Sequence, residues 1–352
     1  MMMQKQEQVH RILEGDSIKR RGFFEAILVL LFLLTVMAFF LSVCVGVAGS
    51  SVQTVVDSLI HYDSSSTMHH VIRELRIPRA LGAILVGAAL SVAGAIMQVV
   101  GDNPLADTGL LGINAGAGFM VSLAMVFFSS VSFLGVMGFS VFGAAIGTVL
   151  TYGFSGASKK RITPVRLILA GSAVSAFLTA LSQGISLCFG TSKDLSYWQS
   201  GSLSGLRWNQ VMITAPWILL GLLLGGGISS GLTILSMGDE TAVSLGAPVQ
   251  RLRLIGIITT LLLAGTSVSL AGGISFLGLI VPHIMRKIMG GEYSKVIPAS
   301  VFCGAIIMLL ADVVGRMLNA PYDTPVGALV SVIGLPFFLG LTYKKRGEKK
   351  SE

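Results

Sequence analysis

About ten runs of apolar residues, near 26–48, 80–100, 109–128, 133–156, 165–188, 211–235, 254–271, 273–290, 297–318 and 325–343, leave this chain little choice of fold. Each is close to the roughly 20 residues a helix needs to cross a bilayer. The charged share is 12%, against about 25% for an ordinary soluble domain. Lipid satisfies no backbone hydrogen bonds, so segments this apolar must close their own as helices. The expected fold class is therefore an all-α polytopic membrane protein with about ten transmembrane helices. Residues 1–25 form an N-terminal tail, 26–343 a single transmembrane domain, and 344–352 a C-terminal tail.

Charge orients the helices. An even number of spans puts both termini on one side. With the N-terminus in the cytosol, 19 of the 25 Lys and Arg residues fall in cytosolic segments, Lys159, Lys160, Arg161, Arg166, Lys349 and Lys350 among them. Such asymmetry follows the positive-inside rule and predicts a multi-pass protein of the cytoplasmic membrane with both termini cytosolic. The net charge of +8 then reflects topology and lipid contact, and no nucleic-acid partner is expected. The apolar run from Ala26 is longer than the roughly 7–15 residues of a signal-peptide core, so it reads as a retained first span.

One internal stretch cannot lie in lipid. Residues 236–253, SMGDETAVSLGAPVQRLR, carry acids, bases and a Gly-Ala-Pro break between two spans. Ala242, Val243, Leu245, Ala247 and Leu252 supply apolar contacts, and Gly246 followed by Pro248 is expected to end one short helix and begin another. This knuckle faces the cytosol, where a separate motor could push on it. The chain shows no motor of its own: no Gly-Lys dipeptide of a phosphate-binding loop, no HExxH, no paired Cys motif and no nucleophile–base set. No catalytic residue, metal or cofactor is expected.

Small residues should let helices approach. Gly makes up 43 of 352 residues, and GxxxG spacings occur at Gly112 and Gly116, Gly143 and Gly147, and Gly221 and Gly225. The three cysteines, Cys44, Cys188 and Cys303, sit in apolar stretches and are odd in number, which argues against a disulfide framework.

On the outer side, the three arginines of VIRELRIPRA, Arg73, Arg76 and Arg79, run against the charge trend. They fit either headgroup contact and helix capping or a docking patch for an acidic partner. Asp312 and Arg316 stand i, i+4 and can pair. His61, His69 and His70 share the first outer loop without a complete ligand spacing. In YWQSGSLSGLRW, Tyr197, Trp198 and Trp208 suit an aromatic belt, while Ser202 beside Gly205 is a candidate for the mouth of a passage. His283 is read as packing or gating rather than as a proton relay, since no chain of such groups accompanies it.

Several of these stretches, in order, resemble one family. RIPRALGAILVGAALSVAGAIMQ, NPLADTGLLGINAGAG, WQSGSLSGLRW, GDETAVSLG, GGISFLGLIVPHIMR and LLADVVGR look like the FecCD permeases, the transmembrane subunits of type II ABC importers for iron-siderophores, haem and cobalamin. The likeness spans about Leu28 to Tyr343; Thr108 stands where many relatives have Pro. It implies a type II importer permease fold, a cytosolic ABC ATPase dimer, a second permease copy or paralogue, and an extracytoplasmic siderophore-binding protein. It assigns Asp239, Glu240, Ala242, Leu245, Gly246 and Ala247 to ATPase coupling. It places Arg76, Arg79 and Arg316 on the docking surface and Ser202 and Gly205 on the path, and it implies an inverted repeat. The function expected is import of a ferric siderophore of hydroxamate type by alternating access. A cobalamin or haem importer, and an ion-coupled secondary transporter, are the alternatives.

Overall fold

A computed structural model describes residues 2–46, 51–128, 131–156, 164–348 of the chain. Lys159, Lys160, Arg161, Lys349 and Lys350 lie outside the described residues. All regular secondary structure among the described residues is helical. Helix α1 spans Met2–Cys44, α2 Val52–Ile60, α3 Thr67–Val71 and α4 Ile77–Val100. Then come α5 Ile113–Phe127, α6 Phe133–Gly156, α7 Pro164–Cys188, α8 Ser192–Gln199, α9 Trp208–Gly227 and α10 Ser229–Leu235. The chain closes with α11 Asp239–Ser244, α12 Val249–Ala271, α13 Leu277–Met289, α14 Tyr293–Leu318 and α15 Val326–Glu348.

Among the described residues, seven helices are long and apolar enough to cross a membrane, and Ile113–Phe127 and Val326–Gly340 are shorter apolar helices, nine where about ten were expected. Helix α13 lies at the remaining run, 273–290, but has only 13 residues and carries Arg286 and Lys287 in its last turn. Two boundaries differ. The sixth run divides into α9 and α10 around Ile228, and the second begins well before residue 80. Helix α3, a π-helical turn at Ile72–Arg76 and α4 join into one helix of 34 residues, Thr67–Val100. The first outer loop is thus largely helical. Ser51 caps α2, its hydroxyl accepting from Thr54 N–H at 3.1 Å.

Helix α4 forms the axis of the bundle. Its sequence, IPRALGAILVGAALSVAGAIMQVV, is apolar and small-sided all round, the pattern of a helix with no solvent or lipid face. It packs against α14, α12, α13, α9 and α1. Contact is close enough to require missing side chains. A Cβ on Gly87 would lie 2.3 Å from Gly304 O, and one on Gly94 2.1 Å from Gly278 O. Two of the three GxxxG pairs behave alike: Gly116 meets Gly143, and Gly147 meets Gly112, which zips α5 to α6, whereas Gly221 and Gly225 meet side chains of α12 and α4.

The element order of a long helix, a break in the α-helix, a short helix and two further helices occurs twice, in α4–α7, where the break holds a 3-10 turn at Thr108–Leu111, and in α12–α15. The two breaks, 101–112 and 272–276, meet. Asp107 accepts from Phe276 N–H at 3.0 Å, Asn114 Nδ2 donates to Ile274 O at 3.2 Å, and Gln98 Nε2 donates to Gly278 O at 2.9 Å. Open backbone among apolar helices needs such partners, or a cavity to line.

Candidate functional site

Three places on the bundle carry polar chemistry: the end that the charge pattern leads one to expect outside, termed the outer end, the knuckle at the other, inner end, and the junction of the two breaks between them.

At the outer end, an ion-pair network joins three segments. Asp312 is fully buried, with Arg79 Nε 2.8 Å from its Oδ1 and Arg316 Nη2 3.2 Å from its Oδ2. Arg79 Nη1 also reaches Asp323 Oδ2 at 2.9 Å, and Ser204 Oγ donates to that same oxygen at 2.6 Å. The i, i+4 pair expected from spacing is present. The Arg79 contacts, across more than 230 residues, had no local signal.

The other two guanidinium groups turn inward to the end of α1. Arg76 Nη1 donates to Val43 O at 2.9 Å and Cys44 O at 3.1 Å. Arg316 donates to Val45 O at 2.8 Å and to Ser42 O and Ser42 Oγ at 2.9 Å. A helix leaves its last four carbonyls without intrahelical donors, and they carry the negative end of its dipole. Two arginines here fill that role for α1. Arg76 and Arg316 are each only 7% exposed.

Asp323 lies in the loop between α14 and α15. Burial raises its carboxyl pKa, but hydrogen bonds from Arg79 and Ser204 outweigh that and hold it below the usual carboxylate range. A depressed folded pKa gives a contribution that is complete above the unfolded value near 3.9 and fades as pH falls through the folded one. The protection of amides in residues 319–325, measured against exchange of an unstructured chain at the same pH, is therefore expected to hold from about pH 5 upward and to drop only below about pH 4. In an Asp323→Asn chain that protection is expected to be weak at every pH. Exchange that is equally protected in that variant would show the network to be idle.

At the inner end, Gly238 starts α11 and Gly246 ends it with φ +77°. Gly246 N–H donates to Val243 O at 2.9 Å and Ala247 N–H to Ala242 O at 3.0 Å. That bond pair is the Schellman ending, with apolar Ala242 and Ala247 facing across it and Pro248 blocking continuation. The expected break at Gly246 is present. Asp239 accepts two bonds from Arg253 Nη2, at 2.8 and 3.0 Å, so α11 is tied to α12. Ala242 is buried, Glu240 is exposed, and Met237, Val243 and Leu245 are 59%, 64% and 62% exposed. Behind the knuckle, Thr233 Oγ1 accepts from Tyr293 N–H, Tyr293 OH accepts from Arg286, and Arg286 donates to Gln98 on α4.

Between these ends, a cavity of about 270 Å³ opens at the junction of the breaks, lined by α5, α7, α8 and residues 273–275. Ser202 and Gly205 lie elsewhere, in the outer loop between α8 and α9. Ser202 Oγ accepts from Ser204 N–H at 3.1 Å and lies 3.3 Å from Tyr197 OH. His283 packs edge-on against Phe337 with ring centres 5.5 Å apart. Trp208 is anchored by its Nε1–H to Arg73 O at 2.8 Å. In the first outer loop, Tyr62 OH lies 3.1 Å from His70 Nε2, and His69 Nδ1 accepts from Asp63 N–H. None of the three cysteines forms a disulfide; Cys188 is exposed and Cys303 buried.

Comparison with known proteins places this geometry. The model of the FecCD transport family matches residues 33–344. The iron(3+)-hydroxamate import system permease protein FhuB of Bacillus subtilis is 41% identical over 307 residues, 87% of this chain and 80% of that protein. The iron-uptake system permease protein FeuB of the same organism is 38% identical over 313 residues, 89% and 94% of the two chains. A solved inward-facing structure of a metal-chelate type ABC transporter superposes with a TM-score of 0.78 at 28% identity, covering 91% of this chain and 99% of that one.

Proposed function

The chain belongs to the FecCD transport family, and from that premise we propose that it carries a ferric siderophore of hydroxamate type across the cytoplasmic membrane by alternating access. It is a multi-pass permease, a transporter subunit rather than an enzyme, of the kind that works with an ATPase and a binding protein. What supports the cargo is likeness over most of the chain to an iron(3+)-hydroxamate permease. ATP hydrolysis is assigned to a separate cytosolic ABC ATPase dimer seated on the knuckle, through Asp239, Glu240, Ala242, Leu245, Gly246 and Ala247. A second permease copy or a paralogue completes the path. Both termini face the cytosol in this reading.

The mechanism uses no covalent chemistry on this chain. A loaded binding protein docks over the outer end and releases the chelate into the path. There Arg76, Arg79 and Arg316 would exchange part of their bonding to α1 carbonyls and Asp323 for carboxylates of that partner. Closure of the ATPase dimer then displaces the knuckle. Because the knuckle contacts the ATPase differently in two motor states, it biases the balance of outward-open and inward-open forms. Tyr293, Arg286 and Gln98 connect α10, which leads into the knuckle, to the central helix α4.

The test is radiolabelled uptake by iron-limited cells lacking the protein, with ferric trihydroxamate, haem and cobalamin compared. Selective loss of trihydroxamate uptake, restored by the wild-type chain, is expected. Uptake that persists after ATP depletion would point to a secondary transporter and sink the ABC reading. Loss of haem or cobalamin uptake alone would reassign the cargo. Docking is tested separately by Arg79→Glu at matched membrane level, where uptake is expected to fall and a compensating Glu→Arg change on the binding protein to restore it.

A further inference from the structure

We infer that the cavity at the junction of the two breaks is a binding station for an uncharged, oxygen-rich arm of the transported chelate, held by Asn114, Ser175, Thr179 and Ser275. This rests on the importer reading above and deepens it by stating the charge class of the cargo.

The argument begins with unspent polar atoms. Hydroxyls in apolar helices commonly bond back to the carbonyl four residues earlier, and this chain does so repeatedly: Thr148 to Ala144 O, Ser155 to Thr151 O, Ser182 to Leu178 O. Ser175 Oγ does not, and it has no protein partner. Asn114 spends its Nδ2 on Ile274 O, which leaves Oδ1 buried and equally unpartnered. Both residues line the same cavity. A buried polar atom without a partner is destabilising, so two in one cavity point to something that supplies the missing bonds.

The position is built rather than incidental. Ser175 and Thr179 stand i, i+4 on one face of α7. Ser275 belongs to the 272–276 break and comes so close to Gly109 that a Cβ there would lie 2.7 Å from its Oγ. Gly118 leaves room for the Trp198 ring, since a Cβ would lie 3.1 Å from it. The lining thus combines two amides, Asn114 and Gln199, three hydroxyls and an indole ring.

Its charge is the informative part. None of the lining residues is Lys, Arg, His, Asp or Glu. A ferric ion held by three hydroxamates is neutral overall, because each ligand contributes one negative charge. Three catecholates contribute two each and leave a trianion. Placing a trianion against a wall with no cation is heavily disfavoured, whereas the carbonyl and N–O oxygens of a chelate that is neutral overall accept from hydroxyls at little loss. The volume, about 270 Å³, falls just below the roughly 300–1,000 Å³ of sites that enclose a whole drug-sized ligand. One arm of the chelate enters, and a weak hold allows it to leave.

The experiment uses the full importer, permease with its ATPase and binding protein, in proteoliposomes loaded with ferric trihydroxamate on the binding-protein side. Removing both α7 hydroxyls, Ser175→Ala with Thr179→Val, is expected to lower transport roughly tenfold, the loss of about two modest hydrogen bonds. Binding-protein-stimulated ATP hydrolysis is expected to persist, and Ser182→Ala on the same helix to be silent. Thr179→Lys and Thr179→Asp give the sign: a neutral cargo predicts that both lower transport alike. Faster transport with Lys and slower with Asp would mean an anionic cargo and overturn the proposal. Unchanged transport in the double variant would mean the cavity holds water only, and would overturn it too. A wild-type importer that moves no chelate with ATP removes the importer reading itself. One that moves haem or cobalamin instead leaves that reading standing and removes this one.

Discussion

An Asp312→Ala chain is expected to reach the membrane at a small fraction of the wild-type level and, once purified, to unfold well below the wild-type temperature. Asp312 is fully buried and its carboxylate contacts two guanidinium groups. Removing one partner of a buried ion pair costs roughly 3–5 kcal/mol, because the remaining charge stays desolvated. Arg79 retains Asp323, and Arg316 retains the carbonyls of α1, so the lower part of that range is expected. Against a stability of roughly 5–15 kcal/mol, about 3 kcal/mol is a change of more than a hundredfold in the folded ratio.

Asp312→Asn keeps the shape and one acceptor and should fall between. A triple variant that replaces Asp312, Arg79 and Arg316 by Leu, Met and Met separates stability from docking. Apolar replacement of a whole buried ion cluster is often neutral or better, although here α1 also loses a cap. A folded triple variant with no uptake would locate the value of the arginines in docking; a folded one with normal uptake would remove them from the docking surface. Thermal unfolding in nanodiscs and uptake at matched protein level are the two readings.

The pieces legible from sequence are those whose cause is local. Apolar length found the spans, because crossing lipid is a constraint each segment meets alone. The Gly-Ala-Pro break predicted the end of α11, since a Schellman ending needs only a residue tolerant of positive φ and a following stop. Asp312 with Arg316 followed from helix periodicity. Two of the three GxxxG spacings, at Gly112 and Gly116 and at Gly143 and Gly147, face each other, but nothing in the letters said so.

What was missed is set by tertiary contact. No spacing rule pairs Arg79 with Asp323, or turns Arg76 and Arg316 onto the end of α1. The helical outer loop was hidden because α2 and α3 are short and partly polar. Ser202 and Gly205 drew notice through composition, whereas Asn114 and Ser175 look like ordinary small polar residues in apolar helices. Only the meeting of two breaks, more than 160 residues apart in sequence, places their oxygens on one cavity. One sequence signal for it existed: Gly272 and Gly273, which interrupt an otherwise continuous apolar run.

The second large effect is expected at the knuckle. Val243→Asp with Leu245→Asp should abolish ATP-dependent uptake while leaving the permease folded and at its normal level. Most exposed apolar side chains in this protein lie on long helices, where lipid covers them. Val243 and Leu245 differ, since α11 has six residues, begins with Asp239 and Glu240, and cannot sit in a bilayer. Their apolar surface faces water unless another protein covers it. Their neighbours already hold the short helix in place: Ala242 is buried against the bundle, Gly246 and Ala247 close its end, and Arg253 ties Asp239 to α12. Nothing in the fold therefore requires Val243 or Leu245 to be apolar, and aspartate there is expected to change unfolding temperature little. If they enter a groove on the ATPase, two carboxylates buried without partners would each act as a disrupted hot spot, about 2–4 kcal/mol. Together that weakens association by more than a hundredfold. Co-purification of the ATPase and chelate uptake should then vanish in parallel. Retained association with lost uptake would mean that these residues transmit motion without holding the motor. Retained uptake would remove α11 from the coupling surface, and the contact would have to be sought on neighbouring inner-end segments.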